Sequence, residues 1–228
     1  MKKKIITTIA ALCLSALPIN ALAAGGLSVT QKNVIIFDGK DSGYFYAKIE
    51  NIGDSPIALK QGKLVLFSDK DEILCAEDYI DSMPNDIMLE AGEHVYTSKF
   101  LWDSALEGAT IGDIKFSIET RDDGYRASKV DAEAVLDIKG KDSFENYVYV
   151  TLTNNTDEVE YDYYITAAIT DNEGNILYVD GNSYNTLGLH SGSTVTLKMN
   201  VDYDLVSYYE SHGLTPANVE VMAYCKNE

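Results

Sequence analysis

The sequence predicts an all-β protein made of two β-sandwich domains in tandem, and an internal repeat is the first of two observations behind this prediction. The tetrapeptide Gly-Lys-Asp-Ser stands at residues 39–42 and again at residues 140–143. A Leu-x-x-Gly stretch at residues 89–92 returns at residues 189–192. Landmarks repeated in the same order about 100 residues apart indicate two copies of one domain-sized unit, because solenoid repeats span only about 20 to 50 residues.

Hydrophobic alternation is the second observation. Apolar side chains occupy every second position over residues 45–49 in the first copy and over residues 148–152 in the second. A period of two residues is typical of a strand with one face in a core. About seven short strands per copy, separated by turn signals, predict an immunoglobulin-like sandwich. The other predicted strands lie around residues 64–66, 95, 114–118, 163–169, 195–201 and 219–223.

Turn chemistry supports this division into strands. Residues 69–72 and residues 171–175 are rich in Asp, Glu and Asn, which is typical of hairpin turns. Gly92 and Gly192 each stand just before a predicted strand, where a tight turn often requires a positive φ. We therefore expect both glycines to adopt that conformation.

One segment departs from the β pattern. Residues 204–210 begin with Asp204, a good N-cap residue, and end near Gly213, so they predict a short helix. Residues 102–108 are its counterpart in the first copy and predict a similar turn.

The repeat and the charge pattern together predict the domain boundaries. We assign residues 24–121 to the first immunoglobulin-like domain and residues 130–228 to the second. Residues 122–129 lack the alternation and are charged, so they predict a short linker that allows limited movement between the domains. Residues 1–23 precede the repeats and predict a signal peptide.

The signal peptide is predicted from three features in order. Lys2, Lys3 and Lys4 form a basic start, and an apolar stretch too short to span a bilayer comfortably follows over residues 5–17. Small residues then lead to predicted cleavage near Ala23. We expect the mature protein to be secreted, at the cell surface or periplasmic, without membrane insertion.

The charge balance bears on partners. The chain has 36 acidic against 18 basic residues, a net charge of −18, and the predicted signal peptide removes only lysines from that balance. Nucleic acid and anionic membrane are therefore poor candidates as partners. Solubility outside the cell is the favoured explanation of the acidity, and weak Ca²⁺ binding at the acidic turns of residues 69–72 and 171–175 is the alternative.

The mature chain keeps only Cys75 and Cys225, one in each copy, so no disulfide can form within a domain. Cys225 shares the phase of apolar residues on the last strand, which predicts a buried, inert thiol. A bridge between the two cysteines requires the copies to fold back on each other, and the sequence leaves that question open.

The landmarks of each copy also resemble a known family. A strand, an Asn-x-x-Asp stretch, a hydrophobic strand into an acidic hairpin and a Leu-x-x-Gly stretch resemble bacterial FxLYD-type immunoglobulin-like domains, here in tandem. The resemblance implies a secreted or surface-associated bacterial module without a known catalytic site, and it transfers no functional residue. The landmarks lie at residues 51–54, 64–69 and 89–92, and again at 154–157, 165–171 and 189–192.

Catalytic motifs give no lead in this sequence. We find no metalloprotease, nucleophile-elbow, phosphate-loop or Cys-x-x-Cys pattern, so we predict no enzyme and assign no catalytic, cofactor or metal residue. His94, His190 and His212 are expected to be solvated turn residues.

Tyrosine supplies the candidate binding residues. Tyr44 and Tyr46 recur as Tyr147 and Tyr149, on the strand face opposite the apolar phase. Exposed tyrosines can anchor a protein or stack on a sugar, whereas tyrosine also suits strands and half-buries well for purely structural reasons.

These observations predict an exported, non-catalytic binding or surface-assembly protein whose partner is unknown. The alternative is a carbohydrate-binding protein that uses its exposed tyrosine faces. The two differ in geometry, because a glycan needs at least two coplanar exposed tyrosines in a shallow groove, whereas a protein partner needs a larger patch without one.

Overall fold

The computed structural model describes residues 26–185 and 187–226, and the regular secondary structure within them consists almost entirely of β-strands. Four antiparallel sheets form two β-sandwiches, so the all-β, immunoglobulin-like prediction is confirmed. The predicted signal peptide lies outside the described residues. None of the helices in the described ranges is long and apolar enough to cross a membrane.

The first sandwich pairs a sheet of order β1-β2-β5 with a sheet of order β4-β3-β6. Its core is filled by the inward phase of the strands, including Phe45, Ile49, Leu64 and Leu66. A short 3₁₀ turn at Ser104–Leu106 follows the fifth strand. The strands are β1 Leu27–Ile36, β2 Ser42–Asn51, β3 Ala58–Ser68, β4 Ile73–Ile80, β5 His94–Trp102 and β6 Ile111–Arg121.

The second sandwich pairs a sheet of order β11-β10-β13-β7 with a sheet of order β12-β9-β8. Its core includes Val148, Val150 and Leu152 of the predicted alternating strand. The strands are β7 Ala127–Lys129, β8 Asp131–Asp137, β9 Tyr147–Thr153, β10 Tyr163–Thr170, β11 Ile176–Tyr184, β12 Thr194–Asn200 and β13 Asn218–Lys226, and helix α1 spans Tyr203–His212.

A buried asparagine explains why the Asn-x-x-Asp and Leu-x-x-Gly landmarks recur together. The side chain of Asn51 donates to the carbonyl oxygen of Leu89 at 2.9 Å, and its backbone carbonyl accepts from the N–H of Gly92 at 2.8 Å. Asn154 makes the same two contacts with the second Leu-x-x-Gly stretch. Because buried polar groups must be paired, these landmarks are folding determinants.

The tight-turn prediction is confirmed at both glycines. Gly92 has a φ of 79° and Gly192 a φ of 70°, values that residues with a Cβ adopt only at an energetic cost.

The helix prediction is confirmed with one correction. Asp202, rather than Asp204, is the N-cap, and its carboxylate accepts from the backbone N–H of Asp204 at 2.8 Å; the helix ends at Gly213.

The residues predicted as a linker contact both sandwiches. The backbone of Tyr125 bonds to Asp86 and Met88 of the first sandwich. The last three residues, Ala127–Lys129, form β7 and pair with β13 at the edge of a second-sandwich sheet. Backbone hydrogen bonds therefore hold this connecting segment against both sandwiches.

The two sandwiches pack directly on each other. One face of the β1-β2-β5 sheet lies against the β11-β10-β13 sheet, and β11 crosses all three strands of the former. The side chain of Asn33 on β1 donates to the carbonyl oxygen of Ile176 at 2.6 Å. A Cβ added to Gly181 would meet the Met83 side chain at 3.1 to 3.3 Å, so glycine permits this close approach. We call this contact the inter-repeat joint.

Candidate functional site

The tyrosine face of the first repeat is covered by the second repeat. Tyr46 is 0% exposed and belongs to the cluster that contains the second core, and burial raises its pKa well above the ordinary value. Tyr44 is half-buried, and its hydroxyl donates to Asp202 at 3.3 Å. The expectation that these two side chains form an exposed surface is therefore wrong, because the inter-repeat joint uses the face on which they stand.

The equivalent face of the second repeat is open. Tyr147 and Tyr149 are half-exposed on the outer side of the β12-β9-β8 sheet, as their strand phase predicts. Their ring centroids are 5.7 Å apart with an interplanar angle of 62°. The two rings are not coplanar, so they do not form the flat platform that a sugar ring requires.

The two faces also differ in the residues that surround the tyrosines, which are more polar in the second repeat. Tyr44 is paired across the sheet with the buried Ile35, whereas the equivalent Tyr147 is paired with Asp137. Lys198 on the neighbouring strand places its ammonium 4.3 Å from the Tyr147 ring centroid. The outer face of the second repeat thus carries the charges expected of a solvated sheet.

A different aromatic surface lies at the edge of the inter-repeat joint. Two of its rings stand at alternate positions near the end of β5, Phe100 and Trp102, and two come from the second repeat, Phe144 and Tyr203. We call these four residues the seam aromatic surface. Their exposed fractions are 47% for Phe100, 76% for Trp102, 86% for Phe144 and 42% for Tyr203.

Each pair of rings is held in place by neighbouring side chains. The indole N–H of Trp102 donates to Asp41 at 2.8 Å, and Phe100 lies edge-on against Tyr44 with ring centroids 5.2 Å apart. In the second repeat, Phe144 stacks on Tyr203 at 5.4 Å between centroids with an angle of 29°. Fixed rings lose little conformational entropy when they bind.

Contacts between the repeats connect the segments that support the two pairs. Lys40, which adjoins Asp41, places its ammonium 2.6 Å from the carboxylate of Asp204 on helix α1. The hydroxyl of Tyr44 reaches Asp202 at the N-terminus of the same helix, directly before Tyr203. The residues that contact Phe100 and Trp102 on β5 are therefore linked to the start of the helix that carries Tyr203.

Sequence reasoning missed this surface, although one signal was present. Trp102 is the single tryptophan of the chain, and it shares its strand phase with Phe100. The sequence analysis predicted a turn from residue 102 onward, and the contacts that link this region to helix α1 join residues that are distant in sequence.

A charged cluster lies at another edge of the joint, around Glu220 on β13. Its carboxylate accepts from the hydroxyl of Tyr96 at 2.7 Å and contacts the imidazole of His94 at 2.8 Å, with the ammonium of Lys48 at 4.0 Å. The hydrogen bond from His94, followed by that from Tyr96, lowers the pKa of Glu220 to about 2 despite partial burial.

The histidine expectation needs correction at two of its three positions. His94 is in this cluster and packs edge-on against Tyr96 with centroids 5.6 Å apart. His212 stacks on Tyr208 at 3.9 Å on helix α1. His190 is exposed in its turn, as expected. His94 begins β5 and faces Glu220 of the second repeat, and His212 ends α1 one turn after Tyr208, so both contact other side chains.

Both cysteines of the described chain are free and buried. Burial raises the pKa of the Cys225 thiol to about 11, and the thiol donates to the carbonyl oxygen of Tyr161 at 2.8 Å. Burial also raises the pKa of Cys75. The predicted burial of Cys225 is confirmed, its low reactivity stays a prediction because the thiolate is the reactive form, and the two cysteines do not form a bridge although the repeats do pack together.

The acidic turns use their polar groups internally. Asp171 accepts from the backbone N–H and the side chain of Asn175, both at 2.8 Å, and Ser68 plays the equivalent part in the first repeat through Lys70 and Glu72. Among the described residues, no group of three or more His, Cys, Asp or Glu side chains is arranged to hold a metal ion. Weak Ca²⁺ binding at these turns stays a prediction.

Comparison with known proteins adds little to this picture. No protein-family model and no curated protein matches the sequence. The solved structures to which the chain is similar include red sea bream transglutaminase, at 7% sequence identity and a TM-score of 0.25. That similarity covers 89% of this chain and 29% of the transglutaminase chain, and at this TM-score it does not bear on the fold or activity of the protein.

Proposed function

We propose that this protein is an exported, non-catalytic binding or surface-assembly protein that holds its partner on the seam aromatic surface. The observation that carries the proposal is a pair of exposed aromatic rings on each repeat, supported by residues that are linked across the joint, with Trp102 and Phe144 the most exposed of the four. Exposed tryptophan, tyrosine and phenylalanine rings are typical of the energetic centres of binding surfaces. The basic start and apolar stretch before Ala23 support export.

The anchoring of the rings favours recognition over accidental exposure. The Asp41 carboxylate accepts a hydrogen bond from the indole N–H of Trp102 at 2.8 Å, and the Phe100 ring packs edge-on against Tyr44. A ring that is already fixed presents its face to a partner without ordering further dihedral angles. The rings of Phe144 and Tyr203 support each other in the same way.

The carbohydrate alternative keeps one supporting observation, which concerns this surface rather than the tyrosine faces. Trp102 presents an open ring beside Asp41, and an aromatic ring with an adjacent carboxylate can stack on a pyranose and accept from its hydroxyls. Tyr147 and Tyr149 support it less, because their rings are steeply inclined to each other.

Peptide and glycan arrays probed with the full mature chain test the proposal. We expect binding to a defined class of spots that is lost when Trp102→Ala and Phe144→Ala are combined. The matched control combines Ile73→Ala and Val135→Ala, which remove exposed apolar side chains elsewhere on the surface. Binding that survives the first double variant, or that only the control removes, would show that the ligand sits on another surface.

A further inference from the structure

We infer that Trp102, with the Asp41 carboxylate at the edge of its ring, receives a cationic side chain, so that the partner is a basic polypeptide segment. This inference rests on the proposed function and specifies the chemistry of its ligand. Trp102 is 76% exposed, and the electron-rich face of an indole is the strongest cation-binding ring among the side chains.

One carboxylate is in contact with this ring. Asp41 accepts from the indole N–H at 2.8 Å, and its backbone carbonyl accepts from the N–H of Asp103 at 2.9 Å. Asp103 directly follows Trp102 in extended backbone, so its side chain points to the opposite side of the strand, where its carboxylate caps the short 3₁₀ turn through the N–H of Ala105. An ammonium or guanidinium group over the indole would therefore gain both ring and carboxylate interactions.

The chain already uses this pairing for its own lysines. Ammonium groups lie 4.3 to 5.8 Å from four ring centroids elsewhere in the structure, whereas the Trp102 ring is open to solvent. A lysine or arginine of the partner would form on Trp102 the same cation–π contact that these rings form with lysines of the chain itself. The internal pairs are Lys40 with Phe37, Lys48 with Tyr96, Lys115 with Phe67 and Lys198 with Tyr147.

The net negative charge of the protein favours a positively charged partner. The chain carries 36 acidic and 18 basic residues, a field that attracts cationic segments and repels anionic ones. Near the seam aromatic surface, Lys40 is already paired with Asp204, so its charge is largely offset. The other carboxylates around this junction are Asp38, Asp41 and Asp202.

The single tryptophan makes the test specific to the site. A short arginine-rich peptide titrated into the full mature chain should change the fluorescence of Trp102 saturably, and the affinity should fall as salt is added. A glutamate-rich peptide of equal length should produce no change. Calorimetry with Trp102→Leu should show binding of the arginine peptide weakened by roughly threefold or more, because the ring interaction is lost.

Charge-matched variants separate a local site from the general field. Asp41→Asn removes the carboxylate charge at the indole of Trp102 and keeps an amide oxygen that can accept from the ring N–H, whereas Asp78→Asn removes an exposed carboxylate on β4 in the other sheet of the first sandwich. We expect the first to weaken peptide binding several-fold and the second to leave it nearly unchanged. Equal effects of the two variants, or unchanged affinity in Trp102→Leu, would reduce the interaction to bulk electrostatics and overturn the inference.

The two proposals fail in distinguishable ways. Tryptophan-dependent binding of an uncharged glycan or an acidic peptide, with no binding of the arginine peptide, would overturn the cationic partner and leave the seam aromatic surface as the binding site. Binding on the arrays that neither Trp102 nor Phe144 affects would remove the proposed function itself.

Discussion

Lys40 and Lys141 hold equivalent positions in the two repeats, and both form ion pairs with the same helix. The ammonium of Lys40 lies 2.6 Å from Asp204 in the first turn of α1. The ammonium of Lys141 lies 3.8 Å from Glu210 in its last part. The repeated Gly-Lys-Asp-Ser turns therefore contact α1 from both sandwiches, one within the second repeat and one across the inter-repeat joint.

These two ion pairs are expected to contribute little to global stability. All four side chains are about a third to a half exposed, so solvent screens the attraction. Lys40→Ala and Lys141→Ala should each lower the free energy of unfolding by at most about 1 kcal/mol in urea titrations. A loss of several kcal/mol from either variant would contradict the view that packing, rather than these pairs, holds the helix.

Removing a buried hydroxyl should have opposite consequences at two tyrosines. Among the described residues, the buried hydroxyl of Tyr46 has no hydrogen-bond partner, whereas that of Tyr209 donates to the carbonyl oxygen of Leu177 at 2.7 Å. Tyr46→Phe should leave the melting temperature unchanged or raise it, because an unpaired polar group is removed. Tyr209→Phe should cost about 1 kcal/mol. A clear loss for Tyr46→Phe would indicate a bound water that pairs with its hydroxyl.

Acid should weaken the protein partly through Glu220. Its pKa is lowered from the ordinary 4.5 to about 2, chiefly by the hydrogen bond from His94. The stabilisation is therefore present above about pH 4.5 and is lost as the pH falls towards 2. In urea titrations across this window, Glu220→Gln should flatten the pH dependence of the free energy of unfolding.

Glu145→Gln is the matched control for that measurement. The pKa of Glu145 is also lowered, by a hydrogen bond from Lys139, but its carboxylate is fully exposed to solvent. Its replacement should hardly alter the acid profile. Identical profiles for Glu220→Gln and the unmodified protein would mean that the charged cluster does not contribute to stability.

Core truncation should be costly at equivalent positions of the two repeats. Ile49 and Leu152 are both 0% exposed on the inward phase of β2 and β9. Replacement of either by Ala should cost about 2–5 kcal/mol through lost burial and the cavity left behind. Thr151→Ala on the outward phase should cost about 0.5 kcal/mol or less by chemical denaturation. Similar losses at Leu152 and Thr151 would contradict the strand phase.

Lys48 departs from this simple division between inward and outward residues. Its strand phase predicts a cost as small as that of Thr151, but its ammonium lies 5.6 Å from the Tyr96 ring centroid and 4.0 Å from Glu220 in the joint. We now expect Lys48→Ala to cost about 1 kcal/mol. A cost no greater than that of Thr151→Ala in the same titration would indicate that the cation–π contact is not formed in solution.

The sequence by itself determined the character of each repeat. Alternation at residues 45–49 and 148–152 decides which side of a strand is buried, because successive side chains point to opposite faces. The repeated landmarks also marked the positions where Asn51 and Asn154 close their turns, and the positive φ at Gly92 and Gly192. These features depend on a few neighbouring residues, so a local pattern is sufficient to predict them.

The tertiary structure alone decided how the repeats meet and which surfaces stay open. Tyr46 and Tyr149 have equivalent sequence contexts, yet the first is buried in the joint and the second is half-exposed. Trp102 bonds to Asp41, whose neighbour Lys40 forms an ion pair with Asp204 of the other repeat, next to Tyr203. Strand phase states only that a side chain points away from its own core. Whether another sheet covers it depends on residues that are distant in sequence, and no local periodicity carries that information.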